Sequence, residues 1–221
     1  MKISNYQEFV QIFEKYKIFP FSDFVPEYPS LTAVAAHLQW HSGAESDPWL
    51  WRVRIVEDGV AAYGKFFGSK ACFIHISLFP LVKTILTSGR PAEDRYNVGL
   101  MSRTAFHIYK ILLEHGSVDS RTLRKLAGLG DKEHKKEYEK ALVELQNYGD
   151  VVITGAKGNE NDSGWSSMCY ELVDSWISDE DFSISVSEAK EVLQTELEKF
   201  CTSNKSYAFF AKKLGLEVVN R

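Results

Sequence analysis

The sequence has few cysteines, no long apolar run and no excess of positive charge. Its 221 residues include three cysteines, far apart and without CxxC spacing, which argues against a disulfide framework or a zinc site and favours a reducing cytosol. No apolar run approaches the ~20 residues of a membrane span, and the first ten residues lack a signal-peptide pattern. We therefore expect a cytoplasmic protein that does not contact a membrane and carries no metal or other cofactor.

The net charge of −4 is unevenly distributed along the chain. Residues 171–200 hold nine acidic residues against Lys190 and Lys199, a balance of −7, so the remainder is +3. A strongly basic footprint is absent, which argues against tight, sequence-specific DNA binding. A local positive face is still compatible with these numbers.

Aromatic residues are abundant in the sequence. The hydrophobic fraction is 44% and the aromatic fraction 13%, enough for a substantial core. Three of the five tryptophans (Trp40, Trp49 and Trp51) fall within twelve residues and are interleaved with polar groups. Tryptophan usually fills cores, but this density beside polar side chains indicates a candidate site.

The first half of the chain predicts three helices followed by a β-hairpin. Ser4 with Gln7 has the spacing of a capping box, Ser30 can cap a second helix over 31–40, and Asp47-Pro48 is a strong helix start for 48–57. Two β-leaning runs at 60–67 and 71–76 read as a hairpin, after which Ser77 would cap a helix over 78–86. This is the order of a winged-helix domain.

The same order recurs after a linker at 89–99. Helices are predicted from Ser102 to His115, from about residue 120 to 127, and over 131–148, with strands at 151–154 and 168–173 flanking a polar loop. We therefore predict a mainly α protein with small β-hairpins, an α+β fold of tandem winged-helix domains. The expected units are residues 1–90, residues 100–175 and a C-terminal helical segment, residues 176–221.

Gln39 and His41 are the candidate catalytic residues, because they flank Trp40 at the predicted end of the second helix. A glutamine amide can hold a water through both its oxygen and its nitrogen, and a neutral histidine can accept a proton from that water. The pair could therefore activate water for hydrolysis. The alternative is that both side chains cap backbone carbonyls while Trp40 is buried.

Basic and aromatic side chains elsewhere are candidates for contacts with DNA. Lysines pair with phosphates, glycines in a hairpin allow close backbone approach, and an exposed tryptophan can stack on a base. The alternative for the lysines at 132–136 is a solvated helix face. The predicted contacts are Arg52, Lys65 and Lys70 in the first half, Lys132, Lys135 and Lys136 in the second, and Trp40 and Trp49 as stacking residues.

Residues 30–155 resemble the AlkZ family of winged-helix DNA glycosylases, in particular its short AlkZ-related members. The resemblance rests on LQWH (38–41), DPWLWR (47–52), YGKFFGSK (63–70) and MSRTAFHIYKILLEHG (101–116). It implies tandem winged helices, hydrolysis of the N-glycosidic bond of alkylated or cross-linked bases, and DNA contacts from the hairpin at 60–75. Gln39 matches the first position of the family's Gln-x-Gln or Gln-x-Asp motif, and His41 replaces the second.

These observations favour a DNA-binding, glycosylase-like protein of DNA repair, with DNA as its partner. One alternative is a non-catalytic winged-helix module that binds DNA or protein, with its tryptophans in the core. Another is a small-molecule pocket lined by those tryptophans. The sequence leaves the lesion and the oligomeric state open.

Overall fold

The computed structural model describes residues 2–157, 166–175 and 184–217. The protein is mixed α/β, about 51% helical, with small antiparallel sheets. The expectation of a largely helical chain with short strands is therefore confirmed at the level of class. Most of the polar loop predicted between the last two strands, residues 158–165, lies outside the described residues.

The N-terminal half is organised around a three-stranded antiparallel sheet. Its strands occur in the spatial order β1-β3-β2, and Phe73 in the central strand pairs with both Phe19 and Tyr63. The elements are α1 (Tyr6–Tyr16), β1 (Ile18–Pro20), α2 (Leu31–Val34), α3 (Pro48–Glu57), β2 (Ala61–Gly64) and β3 (Cys72–His75).

The second half repeats this order of elements and this sheet order. Two helices, α4 (Phe79–Thr87) and α5 (Ala92–Asn97), connect the halves, so the predicted linker contains a helix. A sheet of order β4-β6-β5 then forms, again antiparallel. The elements of the second half are α6 (Arg103–His115), β4 (Val118–Asp119), α7 (Ser120–Leu126), α8 (Lys135–Asn147), β5 (Val151–Lys157) and β6 (Ser167–Leu172).

The two C-terminal helices, α9 (Val186–Phe200) and α10 (Asn204–Leu214), pack into the core of the N-terminal half. Leu193, Leu197 and Tyr207 are fully buried there, in the same cluster as Phe9 and Phe13 of α1. The predicted C-terminal segment therefore completes the first core. Within the described ranges, no helix combines the length and the apolar character needed to cross a membrane.

Several helix starts differ from the sequence-based expectations because a neighbouring side chain makes the cap. The side chain of Asn5, rather than Ser4, accepts from the amide of Glu8 at the start of α1. Helix α4 begins without a side-chain cap, since the Ser77 hydroxyl instead contacts the His75 ring at 2.7 Å. Strand β1 was not foreseen, because three residues show no periodicity.

Helix α2 is much shorter than predicted and ends at Val34 instead of near residue 40. The carbonyl of Ala35 accepts from the amide of Leu38, an i to i+3 bond that turns the chain out of the helix. The indole of Trp40 donates to the same carbonyl at 3.2 Å. Gln39, Trp40 and His41 therefore lie on a loop between α2 and α3.

Candidate nucleic-acid interface

Asp47 organises the loop that carries the candidate catalytic residues. Its carboxylate is 1% exposed and accepts from the amides of His41 at 3.1 Å, Gly43 at 3.0 Å and Trp49 at 2.9 Å. The last of these bonds is the predicted N-cap of α3, and the other two fix the backbone of the loop. A single carboxylate therefore sets both the start of α3 and the conformation of residues 41–43.

Gln39 and His41 project from this loop as exposed side chains. His41 has a left-handed backbone (φ 59°), which its amide contact with Asp47 helps to hold. Its ring centroid lies 4.6 Å from that of Trp49. The two side chains are reachable by solvent, as water-positioning groups would have to be.

The three clustered tryptophans have different environments. Trp51 is 1% exposed, stacks on Phe9 at 6.0 Å and donates its indole N–H to the carbonyl of Glu45, so it is a core residue. Trp40 and Trp49 are half-buried and both contact Phe21 edge-on. Much of the tryptophan density is therefore packing, with Trp40 and Trp49 at the edge of the core.

Arg52 points inward, although the sequence suggested a DNA contact. The residue is 4% exposed, its guanidinium carbon lies 3.7 Å from the ring centroid of Trp49, and Nη1 donates to the sulfur of Met168 at 2.9 Å. Burial raises the pKa of the adjacent Tyr63 to about 12, while Arg52 opposes the rise. Arg52 thus links α3 to the second sheet from inside the protein.

Replacing Asp47 by alanine is expected to lower the free energy of unfolding by about 3 kcal/mol. Loss of an N-cap costs roughly 0.5–2 kcal/mol, and two further amides lose a charged acceptor worth about 1.5–3 kcal/mol each, partly offset by water. Chemical denaturation measures the change, with Asp131→Ala, at an exposed position, as the matched control. A loss for Asp47→Ala no larger than that of the control would contradict this role.

A groove of about 840 Å³ lies between the β2–β3 hairpin and helices α7 and α8. Among the described residues that line it, Glu139 is the only acidic side chain, 3.7 Å from Lys135. The protein as a whole is acidic, so this concentration of basic groups is a local feature of the fold. The basic side chains of the groove are Lys65, Arg121, Arg124, Lys125, Lys135 and Lys140.

Two of the predicted phosphate contacts, Lys65 and Lys135, come together in this groove. Lys70, Lys132 and Lys136 are exposed but do not line it, and neither do Gln39 and His41. Sequence reasoning missed the four other basic groups of the groove. Three of the four, Arg121, Arg124 and Lys125, form a cluster with helical spacing on α7, which was a signal in the sequence.

Two side chains at the end of α8 form hydrogen bonds with the backbone of the β2–β3 hairpin. Gln146 is 1% exposed; its Oε1 accepts from the amide of Lys65 at 3.1 Å and its Nε2 donates to the carbonyl of Leu142 at 2.9 Å. Asn147 donates to the carbonyl of Gly68 at 3.1 Å. These bonds hold the basic groups of the two halves in one fixed surface.

The floor of the groove is neutral. Tyr138 and Tyr170 line it, and burial raises the pKa of Tyr138 to about 12 and that of Tyr170 well above its usual value. Tyrosine is ordinarily uncharged at neutral pH, and burial favours the uncharged form further, so neither phenol opposes an anion. Across residues 2–157, 166–175 and 184–217, no three His, Cys, Asp or Glu side chains are grouped as metal ligands would be.

The sequence of the chain is similar to that of a known protein family. A family model described as AlkZ related matches residues 3–215, nearly the whole chain. The match extends beyond residues 30–155, on which the resemblance rested, and takes in both C-terminal helices. No curated protein and no solved structure matches.

Proposed function

The chain belongs to the AlkZ-related family, and we propose that it binds duplex DNA through the groove between the β2–β3 hairpin and helix α8. The observation that carries this proposal is the set of six basic side chains in that groove, against one carboxylate. Basic groups fixed at the rim of a groove neutralise phosphates and release counterions, which supplies most of the affinity for duplex DNA. The family relationship is itself one of DNA repair.

We further propose that each half is a winged-helix unit. The order helix–strand–helix–helix–strand–strand and the sheet order first–third–second strand are common to both halves, which supports this assignment. Helix α8 would then be the recognition helix of the second unit, and the β2–β3 hairpin the wing of the first. Lys65 on the wing and Lys135 on the helix would contact the same stretch of DNA.

We also propose that the protein is located in the cytosol. The thiols of Cys72 and Cys169 form no disulfide bond, which supports a reducing compartment.

A second candidate function is hydrolysis of the N-glycosidic bond of a modified base. Membership of the family favours it, and so do the exposed side chains of Gln39 and His41 on a loop fixed by Asp47. Gln39 would position a water, and neutral His41 would take its proton as the oxygen bonds to the sugar carbon and the base departs. A neutral imidazole also avoids opposing the positive charge that develops on the sugar.

The competing function is a DNA-binding module without catalysis. In favour of this alternative, Gln39 and His41 do not line the basic groove, Trp51 is a core residue, and Arg52 is buried. Both functions share the groove as the DNA-binding surface. They differ in whether the Gln39 loop performs chemistry.

Base excision from a duplex carrying an N-alkylated base separates the two. If the protein is a glycosylase, Gln39→Ala is expected to slow excision by about 10² to 10⁴, while duplex binding and stability stay unchanged. His41→Asn should behave similarly, since asparagine tolerates the left-handed backbone. Gln11→Ala, at an exposed glutamine of α1, is the matched control.

Equal excision by the Gln39→Ala and wild-type proteins would exclude the proposed mechanism. No excision by the wild-type protein from a panel of duplexes with different alkylated or cross-linked bases, together with intact duplex binding, would favour the non-catalytic alternative.

A further inference from the structure

A second depression, of about 570 Å³, adjoins the basic groove across the connection between α7 and α8. Leu129 lines the depression and the next residue, Gly130, lines the groove. On α8, Glu137 lines the depression and Glu139 lines the groove, so the two openings lie on different faces of this helix. Helix α8 therefore lies between the depression and the groove, and the two meet at the connection between α7 and α8.

Aromatic rings form one side of the depression. The rings of Tyr96 and Phe106 are stacked with centroids 4.1 Å apart and planes 6° apart, and Tyr109 continues the parallel arrangement at 6.3 Å and 7°. Tyr96 and Phe106 line the depression, and both are half-buried. A further planar ring can extend such a stack, because aromatic groups favour parallel, offset contact.

Three basic side chains also line the depression, on the same face of α6 as Phe106. Arg103, His107 and Lys110 are exposed on one face of α6, at i, i+4 and i+7, and all three line the depression. Lys110 is 3.1 Å from Glu93 in an exposed ion pair, which is weak enough to exchange for a phosphate. The Glu137 carboxylate accepts from the Thr104 hydroxyl at 2.7 Å, so the acid is partly engaged.

We propose that this depression binds one unpaired nucleotide, with its base stacked on Tyr96 and its phosphate on Arg103 and Lys110. The apolar Leu129 supplies a surface for the edge of the base. Aromatic rings beside a basic row are the combination that binds single-stranded nucleic acid without sequence preference. The proposal rests on the proposed function in one respect: the unpaired nucleotide continues a strand whose duplex part lies in the groove.

Two DNA probes test the proposal by fluorescence anisotropy, namely a blunt duplex and the same duplex with a short single-stranded thymidine tail. The wild-type protein is expected to bind the tailed duplex about tenfold more tightly, the gain from stacking of one base. Tyr96→Leu should remove that gain and leave blunt-duplex binding unchanged, whereas Tyr96→Phe, which keeps the ring, should retain it. Arg103→Ala, at an exposed residue, should reduce the gain without risk to the core.

Equal affinity of the wild-type protein for the two probes would overturn the proposal and leave the proposed function standing. Equal weakening of both probes by Tyr96→Leu would also overturn it. If the blunt duplex does not bind at all, binding of a short thymidine oligonucleotide is measured to test the stacking site separately. Its binding, abolished by Tyr96→Leu, would support the stacking site while refuting the duplex groove, and its failure to bind would refute both.

Discussion

Replacing Lys125 and Lys140 together by glutamate is expected to weaken duplex binding by at least about a hundredfold at low salt. Both residues are exposed, on α7 and α8 respectively, and both line the basic groove. Each substitution removes one positive charge and adds a negative one, so attraction to a phosphate becomes repulsion. A loss of at least tenfold per residue corresponds to about 1.4 kcal/mol, well within the energy of a charge contact near a protein surface.

The salt dependence of the double variant provides a second measure. Each phosphate contact contributes about −0.9 to the slope of log affinity against log salt, so the slope should become shallower by about 2. Titration by fluorescence anisotropy at several salt concentrations measures both quantities.

Lys15→Glu with Lys212→Glu is the matched control for this double variant. Both lysines are exposed, on α1 and α10, and neither lines the groove. The change in net charge is the same, so a general electrostatic effect would weaken binding equally in the two double variants. Equal loss in both would refute the groove as the binding surface.

Replacing Arg95 by methionine is expected to lower the free energy of unfolding by about 3–5 kcal/mol. Arg95 is 1% exposed and donates to the Asp150 carboxylate at 2.6 Å and to the carbonyl of Arg90 at 3.1 Å. Its guanidinium also lies 4.3 Å from the ring centroid of Tyr148. Removing one member of a buried ion pair leaves the other charge without compensation, which is the source of the large cost.

The dependence of this loss on pH identifies its cause. Burial raises the pKa of Asp150, and Arg95 opposes the rise, so without Arg95 the carboxyl has a higher pKa in the folded than in the unfolded protein. The folded variant then binds more protons, and its stability relative to the wild type should increase as the pH falls through that raised pKa. Chemical denaturation across a pH series provides the measurement.

Arg95→Met combined with Asp150→Leu is the control, because it removes both charges. Apolar replacement of a complete buried pair is often close to neutral, so the double variant should recover most of the lost stability. A single-variant loss below about 1 kcal/mol, or a double variant less stable than the single, would contradict the account of the pair.

Local signals in the sequence predicted several elements well. Asp47-Pro48 combines a capping carboxylate with a proline at the first helical position, and α3 begins there and ends at Glu57, as predicted. Phe9, Ile12, Phe13 and Tyr16 of α1 recur at helical spacing in the sequence, and all four are buried. The hairpin was found because glycines separate two β-leaning runs, although the strands are shorter than predicted.

Features that depend on distant parts of the chain were not visible in the sequence. The basic groove joins Lys65 to residues of α7 and α8 through a contact between Lys65 and Gln146, which are 81 positions apart. A contact between residues so far apart in the chain leaves no periodic pattern in the sequence. The acidic residues at 171–200 also cancel the basic residues of the groove in the net charge of the sequence. The net charge therefore did not indicate that the folded protein has a basic surface.

Arg52 was predicted to contact DNA, but the fold buries it. An arginine directly after two tryptophans on a helix resembles a phosphate contact, yet its position three residues after Trp49 places the guanidinium on the same helix face as that indole. The packing of α3 against the second sheet then buries it beside Met168. The i, i+3 spacing was a signal for the cation–π contact, but the burial comes from residues more than a hundred positions away.

The salt dependence of duplex binding by the wild-type protein tests the central claim most directly. If the six basic side chains of the groove all meet phosphates, log affinity should fall with log salt at a slope of about −5. Binding should be tight at about 50 mM salt and be lost steeply above it. No binding at low salt, or a slope shallower than about −2, would contradict the assignment of this groove to DNA.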